Sequence, residues 1–352
     1  MSQINKKSIF IRVLFVIALM CVCARGFAQI DTTQPSVGDG SANSPYKISN
    51  AAELYWFADQ VNNNSRTTIN AVLIEDIFVN RDVLTADGNL NAGSNNFVIW
   101  TPIGIDKDGQ KYEGTFDGQG HTISGLYINY DNEDSKVIGL FCAVGSEGIV
   151  KNVGVIDSYF YAYQFSAGIC GSNAGTVENC FNAATCKVSG QTAGGIVGWN
   201  GGTIKNCYNI GFIYAPHYEG AIYGTNSGNI SNSYYLSGSC ASGEGYGQRI
   251  SIEKNLAQFA SGEVAWLLNG GTAEGEVAWH QNLGNNADAY PVLDSNHGTV
   301  HMGYDECLPV YSNSNLQTTP TGHLAFENGF CTKCGAAQEA GLDGDTYAIA
   351  NA

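Results

Sequence analysis

Four residues near the C-terminus have side chains that could bind a metal ion: Cys307, His323, Cys331 and Cys334. The last two cysteines are separated by two residues and followed by Gly335, which is typical of a knuckle whose backbone amides face two thiolates. Four thiol and imidazole ligands at this spacing favour tetrahedral zinc with no open coordination position, so any zinc would be structural and not catalytic. In an oxidising compartment, Cys307 could instead form a disulfide with one of the later cysteines.

Aromatic and basic side chains in the middle of the chain are candidates for ligand binding. A constant 27-residue offset matches Phe160 to Lys187 and Tyr214, which predicts that these three lie on one outer stripe. Exposed aromatic rings can stack on sugar rings or anchor a protein partner. Trp199 occupies a turn position that small polar residues fill in the other repeats, and it could join the stripe. Ordinary, partly exposed aromatic residues without a ligand would give the same pattern.

No group of residues predicts catalysis. Carbohydrate-active proteins built from repeated coils place clustered acids on successive turns, whereas the equivalent positions here hold Glu178, Lys205 and Ser231. Cys180 and Cys207 lie one repeat apart in equivalent positions and are predicted to be buried free thiols, not a disulfide. The sequence therefore predicts a protein that is not an enzyme.

The elements that would hold these residues recur every 27 residues. Apolar residues at this spacing predict one buried column, formed by Ile123, Val150, Val177, Ile204 and Ile230. Each of the last four apolar residues is followed two positions later by an asparagine. These asparagines predict a side-chain ladder, formed by Asn152, Asn179, Asn206 and Asn232. Short β-favouring runs alternate with Gly and Asn, which supply the positive φ of tight turns. The pattern predicts an all-β solenoid, a right-handed parallel β-helix with turns of about 27 residues.

Helical segments are predicted at both ends of the repeats. Asn50 and Glu53 have the character of a capping box before residues 54–61, whose apolar face would cover one open end of the coil. A second helical stretch, residues 252–269, is stopped by a pair of glycines and would cover the other end.

The composition is that of an ordered, acidic and exported protein. The 352 residues include 44 Gly and 7 Pro, and the formal net charge is −16. Residues 1–28 combine basic residues, a short apolar stretch and small residues before a cleavage position near Ala28, which predicts a signal peptide. Without it the formal charge is −20, which excludes nucleic acid as a partner, and no membrane span is expected in the mature chain.

Three segments resemble exported GLUG-motif proteins of gut and oral Bacteroidetes: AELYWFA at 52–58, GTFDGQGHTISGL at 114–126 and FASGEVAWLLN at 259–269. The Gly-Ile-Val-Gly-x-Asn repeats add to a similarity that covers about residues 45–340. Members of this family are mostly large surface or secreted multi-module proteins, and GLUG repeats also occur beside the peptidase of immunoglobulin A-cleaving metalloenzymes. The resemblance implies a β-helical surface protein. The peptidase activity does not carry over, because this chain has no His-Glu-x-x-His.

These patterns divide the chain into six segments: a signal peptide (1–28), an N-terminal cap with the first strands (29–110), the β-helix with GLUG-type repeats (111–240), a C-terminal helical cap (241–296), a Cys/His knuckle (297–340) and the start of a further, truncated module (341–352). The last assignment rests on residues 347–352, which repeat the pattern of residues 46–51.

The predicted function is that of a non-catalytic, exported surface protein for adhesion or ligand display. Its partner would be a host or microbial surface glycan or protein, and one structural zinc would be its only cofactor. Two alternatives stay open: a carbohydrate-active β-helix enzyme acting on host or dietary glycans, and a structural spacer within a longer multi-module surface protein.

Overall fold

The computed structural model describes residues 30–130, 137–247, 250–316, 326–327, 330–335, 342–343 and 346–347. The predicted signal peptide, His323 and most of the predicted further module lie outside these residues. Within them, the chain winds into a parallel β-solenoid of about seven turns, which confirms the predicted fold class.

Sheet A contains one strand from each turn, in the order β1 (Tyr46–Ile48), β2 (Ala71–Leu73), β4 (Thr115–Asp117), β9 (Ile149–Lys151), β13 (Thr176–Glu178), β17 (Thr203–Lys205) and β22 (Asn229–Ser231). Sheet B runs in the order β3 (Ile77–Phe78), β5 (Thr122–Ser124), β10 (Gly154–Ala162), β14 (Phe181–Val188), β18 (Tyr208–Asn209), β23 (Tyr234–Leu236) and β24 (Ile252–Lys254). Two further strands extend sheet B, with β6 (Tyr127–Asn129) beside β10 and β19 (Ile213–Tyr214) beside β14.

Two shorter sheets complete the coil. Sheet C consists of β7 (Val137–Ile138), β11 (Phe165–Ser166), β15 (Thr192–Gly194) and β20 (Tyr218–Gly220). Sheet D consists of β8 (Phe141–Val144), β12 (Cys170–Asn173), β16 (Val197–Asn200) and β21 (Tyr223–Asn226). Three antiparallel pairs lie near the C-terminus: β25 (His301–Asp305) with β26 (Leu308–Ser312), β27 (Phe326–Glu327) with β28 (Phe330–Cys331), and β29 (Leu342–Asp343) with β30 (Thr346–Tyr347).

The buried column of sheet A has the predicted register in its last four turns. Val150 pairs with Val177, and the column continues through Ile204 to Ile230. The prediction for Ile123 is wrong, because Phe116 pairs with Val150. Ile123 instead lies in sheet B, where it pairs with Val155.

The physical reason for this difference is a longer turn. Phe116 and Val150 lie 34 positions apart in the chain, so a constant offset of 27 reaches the wrong strand. Some of the extra residues form the Gly118–His121 turn, in which Gln119 has φ 50° and Gly120 has φ 89°.

The predicted asparagine ladder is confirmed along the turn that leaves sheet A. The Nδ2 of Asn179 donates to Asn152 Oδ1 at 3.0 Å, and Asn206 and Asn232 each donate to the preceding asparagine at 3.1 Å. All four residues have positive φ, between 44° and 54°, which asparagine tolerates better than most residues. The same side chains therefore allow the tight turn and bind each turn to the next.

Two further ladders, not predicted from the sequence, lie inside the coil. Asn173 Nδ2 donates to Asn200 Oδ1, and Asn200 Nδ2 donates to Asn226 Oδ1, both at 2.8 Å. Asn182 donates to Asn209 at 2.8 Å in the same direction, opposite to that of the outer ladder. These amides are buried, and the oxygens of Asn173 and Asn182 accept the backbone N–H groups two residues on, which satisfies buried polar groups.

The predicted thiols line the core. Cys180 and Cys207 are both free and buried, as expected. Each Sγ donates to the carbonyl oxygen two residues earlier, of Glu178 and Lys205 respectively, at 3.2 Å. Cys170 and Cys186 are buried free thiols too, and burial raises the pKa of both.

The N-terminal cap is the helix α1 (Ala51–Asn62). Asn50 caps it by accepting from the Glu53 backbone at 3.1 Å, while the Glu53 carboxylate accepts from the Ser49 backbone at 2.7 Å. Its buried face, which includes Phe57, packs into the same core as the coil, with the Phe57 ring 6.0 Å from that of Tyr112. A 3₁₀ turn, Ser94–Asn96, follows in the segment between β3 and β4.

The C-terminal helical stretch is divided into three pieces. Residues 252–254 form β24, and two short helices follow, α2 (Leu256–Ala260) and α3 (Glu263–Leu268), separated at Gly262, which has φ 91°. Phe259 and Leu268 pack with the outward rings of Tyr208 and Tyr234. The helices therefore lie against sheet B beside the last turns. None of the helices in the described part of the chain is both long and apolar enough to cross a membrane.

Candidate functional site

A β-bulge in β10 decides which residues face outward on sheet B. Ile156 pairs with Ala183, but after the bulge Tyr159 pairs with Thr185, so the offset falls from 27 to 26 residues. Asp157, within the bulge, has φ 41°. Its carboxylate accepts the backbone N–H groups of Val83 at 3.2 Å and Leu84 at 2.8 Å, which fixes the segment before β4 against the sheet.

The prediction that Phe160 lies on the outer stripe is wrong for this reason. Phe160 pairs with Cys186 and Ile128, and its side chain is fully buried in the core. The outward position beside Lys187 belongs to Tyr161, which the sequence analysis missed. The sequence does contain a signal for this register. Phe160 and Ala162 match Cys186 and Val188 at an offset of 26 residues, and all four are apolar residues at alternate positions.

The outer stripe consists of Tyr161, Lys187 and Tyr214, in register on neighbouring parallel strands. Tyr161 and Lys187 are half-buried, and Tyr214 is 59% exposed. Tyr159 lies beside them, with its ring centroid 5.7 Å from Lys187 Nζ. Together with Val188, Ser189 and Pro216, these residues line an open groove of about 580 Å³.

The segment that the bulge holds packs against sheet B beside the stripe. Thr185 Oγ1 donates to the Gly88 carbonyl oxygen at 2.6 Å, and the Phe212 ring lies against Gly88. Tyr159 is buried beneath this segment and stacks with Tyr127 at 6.5 Å between ring centroids. Tyr159 therefore serves as a packed floor for the stripe and not as an exposed contact.

The charge of the stripe differs from that of the rest of the molecule. The chain carries a formal charge of −16. Five of the lysines in the described residues pair with carboxylates: Lys111, Lys151, Lys205, Lys254 and Lys333. Lys187 makes no such ion pair among the described residues and contacts the Tyr159 ring instead. Its charge thus faces the groove with no carboxylate partner in the described part of the chain.

Trp199 does not join the stripe. It lies on β16 in sheet D, where it pairs with Ser172 and Thr225, the small polar residues predicted for this turn position. Its indole is half-buried and lies over Gly201. The stripe of sheet B and Trp199 are therefore on different sheets of the coil.

A second cleft combines carboxylates with imidazoles. It has a volume of about 420 Å³ and is lined by Asp76 and His121 of the coil and by Asp294 and His297 of a later segment. His121 Nδ1 lies 3.4 Å from Asp76, and His297 Nδ1 lies 2.6 Å from Asp288. Carboxylates and imidazoles are the groups of general acid–base chemistry, so a turnover assay belongs in any functional test.

Three of the four predicted metal ligands come together. The Sγ atoms of Cys307, Cys331 and Cys334 all lie within 4.8 Å of one another, and His323 lies outside the described residues. Cys307 follows Glu306 in the turn between β25 and β26, where Glu306 has φ 55°. Burial, and then hydrogen bonds with the Cys334 and Cys331 thiols, raise the pKa of Cys307 to about 12.

Two features hold the cluster in place. Gly335 donates its backbone N–H to the Cys331 carbonyl at 2.9 Å and has φ 73°, which closes the predicted knuckle. Lys333 binds Asp305 at 2.9 Å and Glu306 at 3.2 Å, so the hairpin turn and the knuckle are joined by ion pairs.

The spacing of these sulfurs is compatible with a bound metal ion. The Sγ atoms of Cys307 and Cys331 are 3.7 Å apart. A disulfide requires about 2.05 Å. Two thiolates at about 2.3 Å from a tetrahedral zinc are about 3.8 Å apart. The three cysteines can therefore hold a metal ion, with one position left for a further ligand.

Comparisons with known proteins give partial matches. No protein-family model matches the chain. A protein from Evansella cellulosilytica, provisionally named a Gly-rich membrane protein, is 31% identical over 173 residues, which are 48% of this chain and 18% of that protein. Halomucin from Haloquadratum walsbyi is 27% identical over 164 residues, 44% of this chain and 2% of that protein. The chain thus spans less than a fifth of the length of these curated relatives.

A solved structure shows a looser similarity. It is a Bacteroides ovatus protein provisionally named an immunoglobulin A1 protease, with 17% identity and a TM-score of 0.47. The similarity covers 73% of this chain and 94% of that protein.

Proposed function

We propose that the protein is an exported, non-catalytic surface module that binds a glycan on the outer stripe of Tyr161, Lys187 and Tyr214. The observation that carries the proposal is the parallel register of these three residues along one groove. Tyrosine rings offer apolar faces for stacking together with a polar hydroxyl, and a rigid sheet fixes their spacing at about 4.8 Å per strand. Adhesion or ligand display on a surface would follow from such a site.

Export and surface placement have separate support. The N-terminal leader pattern favours secretion, and the curated relatives include a protein named as a membrane protein. We further propose that the chain is one of the exported GLUG-motif proteins of Bacteroidetes, on the strength of the segments at 52–58, 114–126 and 259–269.

A glycan array probed with the purified full chain tests the function. Replacing Tyr161 and Tyr214 by alanine should lower binding to any bound glycan at least about tenfold, because truncating a central contact residue typically costs 1–2 kcal/mol or more. The matched control replaces Tyr218 and Tyr246, another exposed pair, whose ring centroids are 4.9 Å apart. Tyr218 lies on β20 of sheet C, and Tyr246 lies between β23 and β24. That variant should bind normally.

Two outcomes would contradict the proposal. Either no glycan binds the wild-type chain, or binding persists in the Tyr161 and Tyr214 variant while its melting curve shows a folded protein. Conversion of a bound glycan into product would favour the carbohydrate-active alternative instead. The acid–base cleft of Asp76 and His121 would then be the first place to substitute.

For the cysteine cluster we propose one structural zinc, held by Cys307, Cys331 and Cys334 with His323 as the fourth ligand. Three thiols at metal-like spacing support this. Zinc bound there would join the β25–β26 hairpin to the knuckle, a short segment with little core of its own, and would contribute to its folding free energy. Four protein ligands leave no position for substrate, so the site is structural.

A further inference from the structure

We infer that the ligand of the stripe is an acidic glycan, whose anionic group binds Lys187 while sugar rings stack on the flanking tyrosines. This inference rests on the proposed glycan-binding function. It adds the charge of the ligand, which the sequence analysis left open.

The first argument concerns the partner of Lys187. Most lysines of the described residues pair with carboxylates. Within the same residues, the ammonium of Lys187 lies over the π face of Tyr159 and has no carboxylate partner. Lys47 and Lys107 also lack a carboxylate partner among the described residues, but neither lines the groove. An ammonium has three N–H donors, and a ring below it leaves donors directed elsewhere. An anion above the groove would complete its coordination.

The second argument concerns position. Lys187 pairs with Tyr161 on one side and Tyr214 on the other, so its Cα lies between those of two tyrosines. The Cα atoms of the two tyrosines are two strand separations apart, about 9.6 Å. A single sugar ring cannot stack on both, whereas an oligosaccharide can, and a substituent between its rings would then lie over Lys187. A charge in the middle of the ligand fits this arrangement better than a charge at its end.

The third argument concerns the surroundings of the ammonium. Lys187 is half-buried, and its neighbours in the groove are Tyr159, Val188 and Pro216. An ion pair in such surroundings is screened less than one on an open surface. A charge-assisted hydrogen bond there corresponds to a preference of about tenfold or more over a neutral sugar.

The overall charge explains why the ligand should be short. With a formal charge of −16, the protein repels a polyanion whose many charges come close to its surface. Charges beyond about 8 Å are largely screened at physiological ionic strength, so a single anionic group in the groove experiences mainly Lys187. Nucleic acid is disfavoured by its continuous charge, and an acidic peptide lacks the sugar faces that two tyrosines would stack on.

The experiment compares short glycans with and without anionic groups. Binding of the full chain is measured by calorimetry to trigalacturonic acid, to its methyl ester and to a neutral galactose trisaccharide, with a sulfated galactose trisaccharide as a further arm. We expect the free acid to bind at least about tenfold more tightly than its ester. The difference should shrink at high salt. The sulfated arm distinguishes sulfate from carboxylate as the preferred anion.

Lys187→Met should remove this preference, because methionine keeps an apolar stem against Tyr159 but has no charge. Lys107→Met is the matched control, since it removes the same net charge from a lysine that does not line the groove. Its preference for the acid should be unchanged. Lys187→Arg should retain most of it.

The outcomes separate the inference from the function it rests on. Equal binding of acid and neutral sugars, lost in the Tyr161 and Tyr214 variant, overturns the acidic ligand and leaves glycan binding intact. An equal loss of preference in Lys187→Met and Lys107→Met would assign the effect to net charge and also overturn the inference. Failure of every sugar to bind overturns the proposed function as well.

Discussion

Asn152 donates its Nδ2 hydrogen to Asp117 Oδ1 at 2.9 Å, and this bond ends the outer asparagine ladder on a carboxylate. The donors of the ladder all point toward that end, so the amide dipoles add along the stack and terminate at the negative charge. Asp117 also accepts from the Gln119 backbone at 2.9 Å and has Lys151 Nζ at 3.4 Å. The largely buried carboxylate is thus satisfied by neighbours on two turns.

Asp117→Asn should lower the free energy of unfolding by about 2 kcal/mol. The substitution weakens charge-assisted hydrogen bonds, and it replaces one carboxylate oxygen by an NH₂ group that would face other N–H donors. Urea unfolding measures this. The control is Asn232→Gly at the exposed, opposite end of the ladder, where glycine accepts the observed φ of 44°. We expect a change there of less than about 0.5 kcal/mol. Equal losses in the two variants would refute the special role of the carboxylate.

Gly202 lies in a column of glycines that allows the turns to stack closely. A Cβ at Gly202 would lie 2.2 Å from the Gly175 carbonyl oxygen, and one at Gly228 would lie 2.1 Å from that of Gly202. Since backbone cannot move without separating two turns, Gly202→Ala should cost about 3 kcal/mol. Gly93→Ala, with nothing within 4 Å of the new atom, is the matched control. A melting temperature equally unaffected in both variants would contradict the stacking argument.

Phe160 and Tyr214 should respond in opposite ways to truncation. Phe160→Ala removes a fully buried ring and should cost about 3–5 kcal/mol, as is usual for such cavities. Tyr214→Ala changes an exposed side chain and should cost no more than about 0.5 kcal/mol. Denaturant unfolding of the two variants checks the register that the bulge at Asp157 imposes. A mild effect of Phe160→Ala would show that Phe160 faces outward, as the constant 27-residue offset predicts.

The buried thiols should make the fold sensitive to alkali. Burial raises the pKa of Cys170 and Cys186 from the ordinary value of about 9, and that of Cys240 to about 11. Above pH 9 the unfolded chain therefore loses thiol protons that the folded chain keeps, so the free energy of unfolding falls as pH rises from 9 through the higher folded pKa values. Below pH 9 the contribution of these thiols should be constant.

The slope of stability against pH measures this effect. Each such thiol contributes up to about 1.4 kcal/mol per pH unit, so the Cys170→Ala, Cys186→Ala double variant should lose stability less steeply than the wild type above pH 9. Urea unfolding at several pH values between neutrality and this range gives the two slopes. Parallel curves would show that these thiols do not account for the alkaline sensitivity.

The parts of the fold that depend on exact repetition were predictable from the sequence. The column from Val150 to Ile230 and the ladder from Asn152 to Asn232 both follow from a spacing of 27 or 26 residues. A parallel stack brings equal positions into register, so the spacing alone specifies the neighbours. The N-terminal helix was predictable as well, because Asn50 and Glu53 mark its start locally.

The parts that depend on a change of register were not. One bulge at Asp157 exchanges the sides of Phe160 and Tyr161, and a longer turn places Phe116 where Ile123 was expected. The side-chain period of a strand is two, so an error of one residue reverses every assignment after it. Of the candidate binding residues, Lys187 and Tyr214 lie on the stripe as predicted, while Tyr161 was identified only from the structure.

The cysteine cluster gives opposite responses to two reagents, depending on its chemistry. If Cys307, Cys331 and Cys334 bind zinc, elemental analysis should find about one zinc per chain, and a chelator should release it. Hydrogen exchange should then rise in residues 301–335 and stay unchanged in the coil, whose core does not depend on the metal. A reducing agent alone should have little effect.

Cys334→Ser should lower the zinc content, whereas Cys240→Ser, at a partly buried free cysteine outside the cluster, should not. The zinc assignment fails if the protein contains no zinc and its mass is about two hydrogens below that of the reduced chain, because one disulfide would then account for the cluster.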